Sequence, residues 1–503
     1  MSDNRPTVLV LGDQLSTEVG PLARLGPDDC RVLMVESTNL LRRHRWHRQR
    51  AHLVVSAMRH FARELRTEGY EVDERRCSSI AAGVTEHADA LDVDRVLAMA
   101  PSSHEGVASL VAAGVELSAD ERFLTPLDEF DAWSRGRSNL RMEDFYRWQR
   151  RRLDILMDGD EPVSGRWNHD ADNREPPPRD GRAWPALPAF ALDDIDAAVL
   201  SDLESDADIE LFGAVPSGLW PVTRAHATAR LDSFIRDALP VFGTHEDAML
   251  RDEWRLAHST LSTSLNLGLL HPREVVAAAT RAFDDGLVPM NSVEGFVRQI
   301  IGWREYVWCL YWNWGPTYGS SNALGADAPL PPVFSGHAET EMACLGHTIE
   351  GIDDRGYAHH IERLMILGNL ALTAGVNPQA MNDWMRSAFV DGAPWVMTPN
   401  VIGMALFADG GRMASKPYAS GGAYISRMSD HCRSCRFDPK KRVGDDACPF
   451  TSLYWDFLER NRETLQGNHR MARQLAAARR LTDLDDVRAR ASEVVVRLGN
   501  GTL

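Results

Sequence analysis

Residues 7–15 read TVLVLGDQL, an aliphatic run that stops at a glycine and two polar residues. Residues 32–36 read VLMVE, a second run of the same kind. Short continuous apolar runs rich in β-branched residues indicate parallel strands that are buried on both faces. We therefore expect 7–11 and 32–36 to be neighbouring strands of one parallel sheet.

The sequence around these runs alternates between strand and helix patterns. Apolar residues recur at helical spacing between Trp46 and Glu68, and short apolar runs follow at 70–72, 93–99 and 115–117. Strands that alternate with helices predict a doubly wound α/β domain. We place this N-terminal α/β domain at residues 1–135.

The remaining sequence predicts a linker and a helical domain. Residues 136–205 are polar and contain Pro176–Pro178, which cannot continue a helix, so we expect an interdomain linker. From 206 to 503 the apolar period is helical with Gly and Pro stops. This part is expected to be an all-α domain.

Composition excludes several protein classes. The 503 residues are 44% hydrophobic and 25% charged, which excludes a collagenous, coiled-coil or wholly disordered chain. Apolar runs are too short for a membrane span and the start does not resemble a signal peptide, so we expect a cytoplasmic protein without a membrane partner. The net charge of −17 argues against nucleic acid bound over the whole surface, but it permits a local basic site.

The cysteines carry the strongest chemical signal. Cys432 and Cys435 are separated by two residues, Cys448 follows, and Cys344 is the best-placed fourth ligand. Four thiolates suit either tetrahedral zinc or a [4Fe–4S] cluster. A zinc ribbon would need a second local pair, whereas Pro449 after the last cysteine is typical of ferredoxin-type motifs, so we favour the cluster. The other cysteines, expected as buried core thiols, are Cys30, Cys77 and Cys309.

Other candidate residues have both functional and structural interpretations. His359 and His360 are adjacent and about 100° apart on a helix, so one can face a pocket while the other packs behind it. Histidine suits proton transfer near neutral pH, although a buried histidine is more often structural. Trp384, Trp395 and Trp303 are core residues or electron relays. Residues 42–50 (RRHRWHRQR) are a solvated helix face or a phosphate contact.

Several motifs occur in one order along almost the whole chain. They are GDQL at 12–15, SAMRHFA at 56–62, MEDFYR at 142–147, GRWNHDADNR at 165–174, WREY at 303–306, HHIERLM at 359–365, KPY at 416–418 and the four cysteines. In these motifs the chain resembles the photolyase/cryptochrome flavoproteins, and among them the bacterial iron–sulfur branch, the prokaryotic (6-4) photolyases. The resemblance implies an α/β antenna domain and an all-helical domain that holds FAD.

The resemblance also implies binding residues. Those assigned to FAD are Ser259, Thr260, Leu261, Ser262, Arg304, Arg363, Asp391 and Asn400. The antenna chromophore of this branch is 6,7-dimethyl-8-ribityllumazine, with candidate contacts Asp13, Gln14 and Glu36 at the ends of the first two strands. Under this resemblance the cluster has a structural or redox-tuning role.

The implied reaction is light-driven repair of (6-4) photoproducts. A flipped-out dipyrimidine lesion of damaged DNA would receive an electron from excited reduced FAD. His360 would supply the proton, with His359 supporting it and Tyr418 in the lesion pocket. The protein is expected to act as a monomer. Trp384 matches the relay position next to the flavin.

The chain departs from relatives at two places. Leu364 stands where eukaryotic (6-4) enzymes have a second histidine, and no second relay tryptophan occurs near 334–336. Two other functions stay open: a blue-light photoreceptor of the same fold, and a zinc-stabilised helical scaffold without a cofactor. His360 and Tyr418 favour repair. The basic residues near the cysteines, expected as phosphate contacts or as a solvated loop, are Arg433, Arg436, Lys440, Lys441 and Arg442.

Overall fold

The N-terminal part contains a parallel sheet in the computed structural model, which describes residues 5–503. Its strands are β1 Thr7–Val10, β2 Arg31–Ser37, β3 Glu71–Cys77, β4 Val96–Met99 and β5 Glu116–Ser118. All neighbours are parallel, in the order β3-β2-β1-β4-β5. Thr7 aligns with Arg31 on one side and with Val96 on the other. The predicted α/β class is confirmed.

Helices cover both faces of this sheet. Val8 and Val32 share a core with the helix Arg48–Thr67, whereas Leu9 and Leu33 face the opposite side, toward the helix Ile80–Leu91. Successive side chains of a strand point to opposite faces, so two-sided burial requires the continuous apolar runs that the sequence shows.

Helices dominate the chain beyond the sheet. The α-helices are Thr38–Arg42, Arg48–Thr67, Ile80–Leu91, His104–Ala112, Leu127–Ser134, Met142–Leu153, Asp194–Ser205, Arg224–Ser233, Leu239–Phe242, Ser262–Leu267, Pro272–Asp284, Met290–Val297, Glu305–Trp314, Ala343–Arg355, His360–Glu362, Asn369–Ala374, Pro378–Ala388, Pro394–Thr398, Gly422–Met428, Pro449–Arg460, Arg462–Leu465, Ala472–Ala478 and Leu484–Gly499. Short 3₁₀ turns lie at Pro21–Ala23, Asp170–Asn173, Pro316–Ser320, Pro332–Ser335 and His431–Arg433. Two-residue strand pairs join Trp46–His47 with Leu211–Phe212, and Met157–Asp158 with Glu161–Pro162.

Four π-helical segments interrupt the helices within residues 5–503. They are Phe234–Ala238, Arg298–Arg304, Arg363–Gly368 and Pro399–Ala405. Such segments are uncommon and often mark functional positions. Three of them carry residues expected to contact the flavin, namely Arg304, Arg363 and Asn400.

The expected linker contains ordered helices at both ends. Met142–Leu153 is helical, and Asp194–Ser205 packs against Arg48–Thr67. Between them, residues 174–193 contain neither helix nor strand. The proline run therefore lies in the irregular part, as expected, while a capping box at Asp193 starts the next helix.

The sheet and the helical part share one hydrophobic core. Val8 and Met34 of the sheet belong to the same buried cluster as Leu265 and Phe296. The backbone also crosses between the two parts, because the Leu15 N–H donates to the carbonyl that precedes Gly268 at 2.8 Å. The two parts are therefore held by packing as well as by the chain.

The basic run at 42–50 does not form one solvated helix face. Arg42 pairs with Asp206, and Arg43 pairs with Glu105. Arg50 donates to the Phe389 carbonyl at 2.8 Å. Arg42 and Arg50 therefore connect the α/β part to later segments of the chain, whereas the Arg43 pair lies within the α/β part.

The three cysteines outside the predicted metal site lie in the protein core. Cys30, Cys77 and Cys309 are buried free thiols, as predicted. Burial raises the pKa of Cys30 to about 11, which makes it a poor nucleophile at neutral pH.

Across residues 5–503, no helix combines the length and apolarity that a membrane crossing requires.

Candidate active site

A chain of hydrogen bonds joins His258, His360 and Asp247. His258 Nδ1 lies 2.8 Å from the Arg255 carbonyl oxygen. His258 Nε2 lies 3.2 Å from His360 Nδ1, and His360 Nε2 lies 3.2 Å from Asp247 Oδ1. Side chains more than 100 residues apart along the chain thus meet at one place.

Burial sets the protonation of this group. Burial, followed by the neighbouring His360, lowers the pKa of His258 to about 3, so this ring is neutral. Burial alone would raise the pKa of Asp247, but its hydrogen bond to His360 and the charge of that ring lower it below the ordinary value. The His360 side chain is 47% exposed, which leaves it open to a ligand.

His359 packs behind this group. Its ring stacks on His258 with centroids 4.7 Å apart and planes 13° apart. It is fully buried, and neither ring nitrogen has a hydrogen-bond partner among the described residues. Burial lowers its pKa well below the ordinary value. One histidine of the pair is exposed and the other buried, as their angular separation predicted.

Tyr418 lies at the edge of the same region. Its side chain is 36% exposed, and the charged groups that act on it include Arg174 and Asp247. Tyr424 is a second phenol influenced by the same two charges, and burial raises its pKa to about 12. Both phenols are therefore neutral donors near Asp247 at physiological pH.

Two residues expected to contact FAD, Arg363 and Ser262, are hydrogen-bonded to a third, Asp391. Arg363 donates to both carboxylate oxygens of Asp391, at 2.9 and 3.2 Å. The Ser262 hydroxyl donates to Oδ2 at 2.7 Å, and Asn266 Nδ2 donates to the Asp391 carbonyl at 3.1 Å. Arg363 also lies 4.0 Å above the Phe389 ring. Charge-assisted bonds from a paired guanidinium fix this carboxylate firmly.

The loop that precedes Ser262 is held in an unusual conformation. Thr260 has φ of 54°, in the left-handed region that non-glycine residues rarely adopt. Its hydroxyl donates to the Ser259 carbonyl at 2.6 Å and accepts from Arg230 Nη1 at 2.9 Å. Arg230 is fully buried and Leu261 is 1% exposed. Strain of this kind persists where the surroundings over-determine it, often at ligand sites.

Arg304 is connected to this assembly, whereas the side-chain hydrogen bond of Asn400 lies elsewhere. The Arg304 guanidinium lies 5.4 Å from the Trp395 ring centroid. It also donates to the Arg122 carbonyl at 3.4 Å, and Arg122 in turn donates to the Asn266 carbonyl at 3.3 Å. The Asn400 amide donates to the carbonyl of residue 396 at 2.8 Å. The structure thus connects Arg304 to the Asp391 assembly, whereas Asn400 is engaged with its own helix.

Several buried polar atoms around this assembly lack protein partners. Among the described residues, those without a hydrogen bond include Thr263 Oγ1, Ser264 Oγ, Arg304 Nε, Asn382 Oδ1 and Trp384 Nε1. A buried polar group without a partner costs on the order of 1–3 kcal/mol. The residues present therefore fit a polar cofactor at this place.

The four cysteines line one small cavity. Cys344, Cys432, Cys435 and Cys448 share it with Met342, Ile425, His431, Phe437 and Phe450. All four are free of disulfides. The predicted grouping of Cys344 with the three distal cysteines is therefore present in the structure.

The lining of this cavity is largely apolar, and burial there raises the pKa of two of the cysteines. Burial raises the pKa of Cys432 to about 11 and of Cys448 to about 12. His431 is buried, and both of its ring nitrogens lack partners among the described residues. A Cβ on Gly422 would lie 2.7 Å from Cys448 Sγ, so glycine makes room for that sulfur. Four converging thiols in such a cradle fit a metal centre bound by thiolates.

Comparisons with known proteins identify the family. A protein of Agrobacterium fabrum (strain C58 / ATCC 33970) named (6-4) photolyase is 43% identical over 505 residues, which are 98% of this chain and 99% of the relative. This chain belongs to the (6-4) photolyase family. The family model described as deoxyribodipyrimidine photo-lyase-related protein matches residues 8–220 of this photolyase-family chain.

Solved structures share the photolyase fold. The crystal structure of a bacterial class III photolyase from Agrobacterium tumefaciens aligns with a TM-score of 0.59 at 13% identity and covers 99% of this chain and 98% of its own. A cryptochrome of Synechocystis sp. PCC6803 aligns with a TM-score of 0.53 at 13% identity, covering 88% of this chain and 92% of its own. These likenesses show the fold of this photolyase-family chain: a parallel α/β part followed by a helical part.

Sequence reasoning missed several residues of the site in this photolyase. Asp247, His258, Asn266 and Tyr424 each contact or face a predicted residue. His258 stands immediately before Ser259–Ser262, so the motif itself was an available signal. Asp247 lies in an irregular segment, and no periodicity or spacing marks it.

The surroundings of Trp384 limit its expected relay role. Its ring lies 4.9 Å from Phe334 and 5.9 Å from Phe389. Phe389 in turn lies under Arg363, which places Trp384 next to the Asp391 assembly. On the other side Trp384 contacts Phe334, which is not redox-active at biological potentials. This is the place near 334–336 where the sequence has no second relay tryptophan. Trp384 as a relay stays a prediction.

The three antenna candidates separate into two groups. Glu36 lines a cavity with Met34 and Met58 at the carboxyl ends of β2 and β3, and forms a bidentate pair with Arg59 at 2.7 and 3.0 Å. Asp13 instead accepts from Ser102 at 2.5 Å. The Gln14 side-chain amide donates hydrogen bonds to the Met99 and Ala100 carbonyls at the end of β4, at 3.1 and 2.9 Å.

The basic residues near the cysteines are mostly paired. Arg436 pairs with Glu341, and Arg442 pairs with Asp483. Lys441 pairs with Asp446. These ion pairs are exposed and individually weak.

Proposed function

We propose that this protein repairs (6-4) pyrimidine photoproducts in damaged DNA by light-driven electron transfer, acting as a monomer. Membership of the (6-4) photolyase family over the full chain carries the proposal. The exposed His360, with a carboxylate and a second histidine bonded to it, supports repair over photoreceptor signalling. The domains follow as residues 1–135 (antenna), 136–205 (linker) and 206–503 (catalytic).

The residues around Asp391 would hold FAD. Ser259–Ser262, Arg304, Arg363, Asp391 and Asn400 supply hydroxyl, guanidinium, carboxylate and amide groups suited to its phosphates and ring edges. Bound reduced FAD supplies the light-driven electron. The chain positions it: Arg363 is fixed by Asp391, and the Thr260 conformation is fixed by Arg230. The unpartnered hydroxyls of Thr263 and Ser264 support a polar occupant.

His360 acts as the proton donor. Its exposed ring can reach a lesion that is flipped out of the duplex, and a damaged pair costs less to open than an intact one. His360 gives one proton to the lesion oxygen that returns to its original base, and it ends as neutral imidazole while Asp247 remains a carboxylate. His359 supports the ring of His258 from behind, and Tyr418 borders the lesion.

The four cysteines would hold a [4Fe–4S] cluster with a structural or redox-tuning role. The Cys448–Pro449 ending and the apolar cradle favour the cluster over zinc. Glu36 and the cavity beside it would bind the lumazine antenna, with Asp13 and Gln14 holding the neighbouring strand ends. A Trp384 relay would pass electrons inward to restore reduced FAD.

Repair of a defined oligonucleotide tests this function. One strand carries a single (6-4) thymine photoproduct, a second carries a cyclobutane dimer, and blue-light products are separated by chromatography. We expect repair of the (6-4) strand alone. His360→Ala should lower the rate at least 100-fold, as for loss of a general acid. The control His469→Ala, at an exposed position, should leave it unchanged. Repair of the dimer alone would contradict the lesion assignment.

A further inference from the structure

We propose that His258 is a positioning residue that keeps His360 in the doubly protonated, imidazolium form from which it donates. The inference deepens the proposed function and rests on it. Some groups along the hydrogen-bond chain from Arg255 to Asp247 can donate, and others can only accept. No motif marks His258 as catalytic.

The first step fixes the tautomer of His258. Its Nδ1 lies 2.8 Å from the Arg255 carbonyl oxygen, which can only accept, so Nδ1 carries a hydrogen. The ring is buried and its pKa is lowered to about 3, so it does not take a second proton at neutral pH. His258 Nε2 is therefore a bare acceptor.

The second step follows from this acceptor. His360 Nδ1, 3.2 Å from His258 Nε2, must donate, because two lone pairs at that separation would repel. His360 Nε2 faces Asp247 Oδ1 at 3.2 Å, and an ionised carboxylate can only accept. Both ring nitrogens of His360 therefore carry hydrogens, and the ring is a cation paired with Asp247.

The His258 ring is held between two other rings. His258 is clamped between the stacked His359 ring at 4.7 Å and the edge of Phe242 at 6.1 Å. Arg255 Nη1 also donates to the His258 carbonyl at 3.1 Å. A 180° turn of the ring would keep the stacking, but it would break the hydrogen bond from Nδ1 to the Arg255 carbonyl at 2.8 Å. Tautomer and orientation are thus set by the fold.

The nitrogen partner of His360 comes from a distant part of the chain. Leu364, four residues after His360, has no hydrogen-bonding side chain. The partner nitrogen belongs to His258, 102 residues upstream.

Other charged groups face the pair from neighbouring elements. His359 and Arg255 act on His258, while Arg174 acts on Asp247. None of these three side chains is hydrogen-bonded to the His360 ring, and among the described residues only His258 and Asp247 bond to that ring directly. A change at His258 should therefore act on His360 without an intermediary.

Two variants of the flavin-loaded full-length protein test the proposal. His258→Phe keeps a flat ring against His359 but removes the acceptor. His258→Gln returns an acceptor oxygen near the position of Nε2. Nitrogen NMR of the 15N-histidine-labelled protein should show both His360 nitrogens protonated at pH 7 in the native protein and in His258→Gln, and one protonated nitrogen in His258→Phe.

The repair rate provides the second measurement. His258→Phe should repair at least 10-fold more slowly at pH 8 and recover most of this loss at pH 6, whereas His258→Gln should stay within about threefold of the native rate. A purely structural role would lower the rate equally at both pH values. Flavin absorbance and dark binding of lesion DNA serve as controls for folding.

The outcomes separate the two proposals. A native spectrum with His360 singly protonated at pH 7 overturns the role of His258, even if His258→Phe fails to fold. An unchanged His360 spectrum and pH profile in His258→Phe also overturns it. Absence of (6-4) repair by the native protein contradicts the proposed function alone, because the nitrogen spectrum still reports on His258.

Discussion

The histidine group and the cysteine cavity both bring reactive side chains together, but they differ in how many of the polar atoms have hydrogen-bond partners within the protein. In the chain from Arg255 to Asp247, each donor meets an acceptor. In the cavity, Cys432 and Cys448 have raised pKa values, and His431 has no partner for either ring nitrogen among the described residues.

This difference shows which site depends on an added group. A complete hydrogen-bond chain is specified by the polypeptide alone and persists without a ligand. Four thiols that line one apolar cavity can bind a cation as thiolates, and the metal then replaces the solvation that burial removes. The histidine group should therefore respond to pH, and the cysteine cavity to chelation and ligand removal.

The largest effect is expected at the cavity. Cys448→Ser should abolish iron binding and visible cluster absorbance, and lower the free energy of unfolding by several kcal/mol, since thiolate sites contribute on the order of 10 kcal/mol to folding in small domains. Iron analysis and urea unfolding measure both quantities. Cys77→Ser, at a buried cysteine outside the cavity, is the matched control and should retain iron.

An intermediate effect is expected at the histidine group, as a pH dependence. The folded pKa of His258 is about 3 and the ordinary value is 6.5, so below pH 6.5 the unfolded chain binds a proton that the folded protein refuses. Stability from this residue is complete above pH 6.5 and is lost as the pH falls. Between pH 6.5 and 5 the loss is about 2 kcal/mol. Urea unfolding of His258→Phe at these pH values should not show this loss. If the unfolding free energy of the variant depends on pH as steeply as that of the native protein, the prediction is wrong.

The smallest effect tests the fit of the cradle. Gly422→Ala would place a Cβ 2.7 Å from Cys448 Sγ, so the sulfur must shift. We expect a loss of about 1 kcal/mol and a changed cluster spectrum, with iron still bound. Gly467→Ala, where a Cβ meets nothing within 4 Å, is the control. Equal melting temperatures and spectra for the two variants would show that the cavity accommodates the added methyl group without displacing the Cys448 sulfur.

The sequence predicted local features well and long-range contacts only where a motif carried them. The aliphatic runs at 7–11 and 32–36 became β1 and β2, because two-sided burial leaves a strong local pattern. Helices inside the expected linker were missed, since the proline run dominated the composition there. The helix Met142–Leu153 shows that polar helices can order when one face packs.

The site was only partly predictable for a related reason. Ser262, Arg363 and Asp391 were expected separately, and the structure brings them into contact. Asp247 and His258 were not expected, because a hydrogen-bond partner 100 residues away leaves no periodicity in the sequence. Only three-dimensional packing reveals which histidine faces which carboxylate.

The shared core of the sheet and the helical part has a consequence for how the protein folds. Val8 and Met34 belong to the same buried cluster as Leu265 and Phe296, so each half buries part of its apolar surface against the other. Opening either half would expose apolar surface of its neighbour, and the stabilities of the two halves should therefore be coupled. A chain cut within the irregular stretch 174–193 should yield two fragments that still associate through this shared core.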